Sequence, residues 1–121
     1  LSNIANMLTS YDHGWTITYF DEQLRDEIYD LPAGIRSDYW RLVDLMKIHG
    51  ANLRMPHSKS MGEGLFELRP HGKEGVGRVF YCMTIGRRIV MLHAFVKKTR
   101  RTPDDELRIA RERMKEVKRN G

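Results

Sequence analysis

Between Leu65 and Val96 the chain alternates apolar and polar residues in three runs, with only short turns between them. Leu65-Phe66-Glu67-Leu68-Arg69 is the first run. The second, Val76 to Thr84, sets Val79, Tyr81 and Met83 on one face and Arg78, Phe80 and Cys82 on the other. Arg88 to Val96 is apolar on both faces, the pattern of a central strand. Pro70 with Gly72-Lys73-Glu74-Gly75, and then Gly86, supply the turns. So compact a series has few ways to fold other than an antiparallel meander.

The flanking segments read as helices. Trp15 to Phe20 alternates like a half-buried strand, and Asp21 then offers a helix N-cap. Phe20, Leu24, Ile28 and Leu31 line one helical face, and Pro32 and Gly34 break it. Ile35, Tyr39, Leu42, Met46 and His49 line a second face that Gly50 closes. Two such helices predict a hairpin packed on the sheet. Asn52 to Glu63 is polar and reads as a loop. Thr102 as N-cap, Pro103 at the first helical position and the acids Asp104, Asp105 and Glu106 in the first turn open a C-terminal helix whose buried stripe is Leu107, Ala110, Met114 and Val117. Leu1 to Gly14 shows no sustained period and is read as a flexible extension, ahead of a single α+β domain spanning 15–121.

Charge narrows the function. The net charge of +5 is unevenly placed: residues 1–50 carry −4 and residues 51–121 carry +9. A basic half on an acidic half points to a polyanionic partner, nucleic acid above all. One cysteine, Cys82, excludes an internal disulfide and fits the cytoplasm, and no run is long and apolar enough for a membrane span. The five histidines lie at 13, 49, 57, 71 and 93, with no pair at helical ligand spacing, and there is no CxxC, so neither a metal nor another cofactor is expected. Phosphate-loop and dinucleotide fingerprints are absent as well.

Cations remain as the chemistry-bearing groups. Arg69 ends one strand, Arg78 interrupts the next, and Lys97 and Lys98 close the last. In a meander these positions can converge, and fixed cations suit the charge that builds on a phosphodiester when a ribose 2′-hydroxyl attacks it. Each has a plainer reading. Arg69 can pair with Glu67, the lysines can be a solvated strand end, and His93, inside an apolar run, can be a hydrogen-bonded core histidine.

The pieces Gly64-Leu65-Phe66-Glu67-Leu68-Arg69, Arg78-Val79-Phe80-Tyr81, Leu92-His93-Ala94-Phe95-Val96-Lys97-Lys98-Thr99 and Thr102-Pro103, in this order, resemble the phage-derived branch of the RelE/HigB toxin family. The likeness runs from about Trp15 to Val117. It implies a RelE-like fold, an N-terminal strand and two helices on an antiparallel sheet with a further C-terminal helix. It also implies metal-independent cleavage of mRNA in the ribosomal A site, leaving a 2′,3′-cyclic phosphate, and an antitoxin partner, of helix-turn-helix type in the HigB branch. The matching catalytic positions would be Arg78 on the phosphate, Lys98 on the leaving group or phosphate, Arg69 orienting the substrate, and His93 for proton transfer. Lys97, Arg100, Arg101 and Lys73 would bind the RNA backbone. The chain departs from RelE in having Glu67 where RelE has a lysine and no tyrosine after Tyr81. It also lacks the acidic-aromatic-histidine ending common in HigB toxins, and the general base stays open. Two other functions fit such a chain: a ParE-like inhibitor of DNA gyrase, and a non-catalytic phage protein that clamps nucleic acid with its C-terminal helix.

Overall fold

The alternating runs form the middle of a six-stranded sheet in a computed structural model that describes residues 14–120. Apart from Gly14, the expected extension lies outside the described residues. In chain order the elements are β1 (Thr16–Tyr19), α1 (Glu22–Tyr29), α2 (Ala33–His49), β2 (Ser58–Gly62), β3 (Leu65–Leu68), β4 (His71–Gly72), β5 (Gly75–Thr84), β6 (Arg88–Lys97) and α3 (Asp104–Asn120). The sheet order is β1-β6-β5-β3-β2, with β4 paired to β5 off this path.

The mixed α+β class and the C-terminal helix agree with the sequence reading, and the sheet is larger than the meander. Ser58–Gly62, inside the expected loop, is an edge strand antiparallel to β3. Its Ser-Lys-Ser run carries no apolar alternation, so pairing with Leu65–Leu68 forms it rather than any intrinsic pattern. The sheet is also not wholly antiparallel, because β1 runs parallel to β6.

Asp21 caps α1 as expected, its Oδ1 accepting from the Leu24 N–H at 2.8 Å. Pro32 gives α2 no side-chain cap. Glu74, from the β4–β5 turn, takes that role and accepts from the Gly34 N–H at 2.9 Å and the Ile35 N–H at 3.2 Å. Gly72 makes this approach possible, since a Cβ there would lie 2.6 Å from the Gly34 carbonyl carbon. His49, expected on the buried stripe, is exposed, and Val43 is buried in α2 instead.

One face of the sheet packs on α1 and α2, where Leu24, Ile28, Ile35 and Tyr39 meet Leu68, Val79, Tyr81 and Met91. The other face carries Leu65, Phe80, Cys82, Val90 and Leu92 against Ala110 and Met114 of α3. Each large side chain so buried contributes roughly 1.5–3 kcal/mol relative to exposure. The apolar strip of α3 is narrow, and cations supplement it. Arg111 donates to the Met61 carbonyl, Arg113 to Leu92 and Lys118 to Met83, at 2.8, 2.8 and 2.9 Å.

β6 carries a bulge. Phe80 lies opposite His93 and Tyr81 opposite Met91, so Leu92 is the extra residue. Leu92 packs in the α3-side cluster and the next residue, His93, bonds to Glu106 of α3, so two consecutive side chains share a face. Odd-numbered residues therefore face α1 and α2 up to Met91 and face α3 from His93 onward. Helices cover both faces of β6, which is why the run reads as apolar on both sides.

Candidate active site

Pairing brings the expected cations together on the α3 face, beyond the N-terminal end of that helix. Glu67 stands opposite Phe80 and Lys59, Arg78 opposite Phe95, and Lys97 opposite Val76. Directly opposed residues share a face, which collects Lys59, Glu67, Arg78 and Lys97 from four strands.

Glu67 is the centre of the group and is 1% exposed. Its Oε1 accepts from Arg69 Nη1 at 2.7 Å and lies 3.5 Å from Arg78 Nε, an ion-pair contact without hydrogen-bond geometry. Its Oε2 accepts from the Thr102 hydroxyl at 3.2 Å. Thr102, expected as the α3 N-cap, thus ties the start of that helix to the carboxylate. Arg78, 4% exposed, also donates from Nη1 to its neighbour Gly77 O at 2.7 Å. Burial lowers the Arg78 pKa, Arg69 adds to the effect and Glu67 opposes it. A buried charge is tolerated only with a partner, and Glu67 supplies one for Arg78.

Above this pair opens a cavity of about 490 Å³, lined by Val76, Arg78, Lys97, Lys98, Thr99 and Arg100. The side chains of Lys97, Lys98 and Arg100 make no hydrogen bond or ion pair among the described residues. Two guanidinium groups and at least two ammonium groups therefore surround one carboxylate, and the excess positive charge faces an open hollow. Such an arrangement has the charge and the opening to accommodate a phosphate and the further charge of a five-coordinate phosphorus.

The remaining expected residues lie elsewhere. His93 is about 13 Å along β6 from Lys97, with Phe95 between them on the same face. Its Nε2 is hydrogen-bonded to Glu106 and its ring stacks on Phe95, which is the plainer of its two readings. Arg101 is exposed and paired to Asp104 at 3.4 Å, a solvated contact. Lys73 sits exposed on the β4–β5 turn and does not line the cavity. Cys82 is buried in the α3-side cluster, and burial pushes its thiol up, as suits an inert core residue. Sequence reasoning missed Lys59, because β2 was not visible, and the role of Thr102, because its cap signature was the stronger one. A larger hollow of about 640 Å³ lies between β1, the β5–β6 turn and the end of α3, with Thr18, Val90, Arg88 and Glu116 in its walls. It gathers no comparable cluster of cations.

No group of three His, Cys, Asp or Glu side chains among the described residues is placed to hold a metal ion. No described helix is long and apolar enough to cross a membrane. Among curated proteins, none matches the chain. A family model described as "phage derived protein Gp49-like" matches residues 26–115, from within α1 to within α3 and through every strand of the site. The chain belongs to the phage-derived Gp49-like family.

Proposed function

We propose that this protein is a RelE/HigB-type toxin of a type II toxin–antitoxin pair, an endoribonuclease that cuts translated mRNA in the ribosomal A site. The observation that carries the reading is the convergence of Arg69, Arg78 and Lys97 around buried Glu67, beneath an open cavity. The Gp49-like family, which includes HigB-like toxins, supports it.

In the reaction the 2′-oxygen attacks the adjacent phosphorus. The O2′–P bond forms, the P–O5′ bond breaks, and the products are a 2′,3′-cyclic phosphate and a 5′-hydroxyl. Arg78, fixed by Glu67 and by the Gly77 carbonyl, neutralises the non-bridging oxygens at the moment their charge is greatest. Arg69, held by the same carboxylate, orients the substrate. The ammonium groups of Lys97 and Lys98 face the phosphate and its leaving oxygen, and Arg100 holds the backbone at the rim. No metal takes part in these steps, the cytoplasm is the site of action, and a helix-turn-helix antitoxin that covers the cavity would silence the protein.

The nucleic-acid clamp is the weaker reading because Arg111, Arg113 and Lys118 of α3 are committed to backbone carbonyls of the sheet. Induction of the wild type in a bacterial host, followed by mapping of RNA 5′ ends, tests the nuclease. Growth arrest with cuts inside translated codons is expected, and Arg78→Ala should abolish both while the protein still accumulates. Arrest with DNA damage and intact mRNA would sink the proposal in favour of gyrase inhibition.

A further inference from the structure

The two lysines that close β6 are not equivalent. Resting on the nuclease reading above, we propose that Lys97, rather than Lys98, is the proton donor to the leaving 5′-oxygen. The bulge at Leu92 sets the alternation of β6 so that His93, Phe95 and Lys97 face α3, and Lys97 stands in register with Val76, two residues along β5 from Arg78. Without the bulge, alternation from Ile89 would turn Lys97 towards α1 and α2. Lys98 lies past the end of the ladder and is exposed at the cavity wall.

The nearby carboxylate and imidazole are occupied. Both oxygens of Glu67 accept hydrogen bonds and the residue is buried. His93 is bonded to Glu106 and lies behind Phe95. Lys97 makes no such bond among the described residues and is partly exposed.

The charged groups around Lys97 are Lys59 from β2, Glu67 and Arg69 from β3 and the residue after it, Arg78 from β5, and Lys98 and Arg100 beyond β6. Partial burial and then Arg78 hold the Lys97 ammonium below the usual lysine range, with Arg69 and Lys59 adding to this and Glu67 opposing it. A weakened ammonium is a better proton donor. In the step, the 2′-hydroxyl proton passes to solvent water as O2′ bonds to phosphorus. The P–O5′ bond breaks, O5′ takes a proton from Lys97 Nζ, and water restores the ammonium.

The test is single-turnover cleavage on programmed ribosomes of two mRNAs, one natural and one with sulfur as the 5′-bridging atom at the scissile bond. A thiolate leaves without being protonated, so the second RNA needs no donor. Lys97→Arg keeps the charge but donates a proton poorly. It should slow the natural RNA by about 100-fold and cut the sulfur RNA at close to the wild-type rate. The wild-type rate should fall as pH rises through the Lys97 pKa, and this limb should vanish in Lys97→Arg. Lys98→Arg should affect both RNAs alike. Equal slowing of both RNAs by Lys97→Arg, a wild-type rate in that variant, or selective rescue of Lys98→Arg by sulfur would overturn the assignment to Lys97 and leave the nuclease standing. A wild-type protein that leaves both RNAs intact would overturn the nuclease reading itself.

Discussion

A carboxylate held between two guanidinium groups cancels one of their charges and fixes the direction of both. Glu67 therefore contributes geometry to the site as well as stability to the sheet. Removing one partner of a buried pair strands the other, at a cost of about 3–5 kcal/mol. Glu67→Ala is expected to lose about 3 kcal/mol of unfolding free energy in a urea titration, because Arg78 would remain 4% exposed without its counter-charge. A loss below about 1 kcal/mol, the range of solvated pairs, would show that the carboxylate does not anchor the cluster. Part of this arrangement was visible in the sequence. The alternation Glu67-Leu68-Arg69 puts acid and base on one side of a strand, and Arg78 stands out in an apolar run. Their meeting was not visible, since it depends on Glu67 pairing with Phe80 and on a threonine supplied from beyond β6.

Elements with a strong apolar period were legible: α1, α2, α3 and the long strands β5 and β6 lie where the pattern put them. Those held by their neighbours were not. β2 has almost no apolar residue, the two-residue β4 was hidden in a turn, and the parallel pairing of β1 follows from a chain reversal that periodicity cannot express. The start of α2 belongs to the same class, because its cap comes from Glu74, far along the chain. The bonds from Gly34 and Ile35 N–H hold the Glu74 carboxyl below its ordinary range. A folded pKa below the unfolded one gives stability that is present above the unfolded value and disappears as pH falls through the folded one. Thermal melts should therefore separate the wild type from Glu74→Gln at pH 7, with the wild type higher, and the two should converge as the solution is acidified through the carboxylate range. A constant gap across that titration would mean that the cap does not act through its charge.

Across the molecule, charge is divided along the chain: the first fifty residues carry −4, and the cations that line the open cavity come from the rest. Single-stranded RNA that touches about four of these cations should bind with a log–log salt slope of about −3, and Lys98→Met should reduce its steepness by about 0.7. A slope near zero would remove the cavity from any role in RNA binding. Only parity along β6 decides which layer a residue joins, and the single spare residue at Leu92 sets that parity for everything after it. Relatives that gained or lost one residue between His93 and Lys97 would hand the reactive position to a neighbouring side chain. Comparing such sequences column by column, without counting from the bulge, would match lysines that serve opposite sides of the sheet.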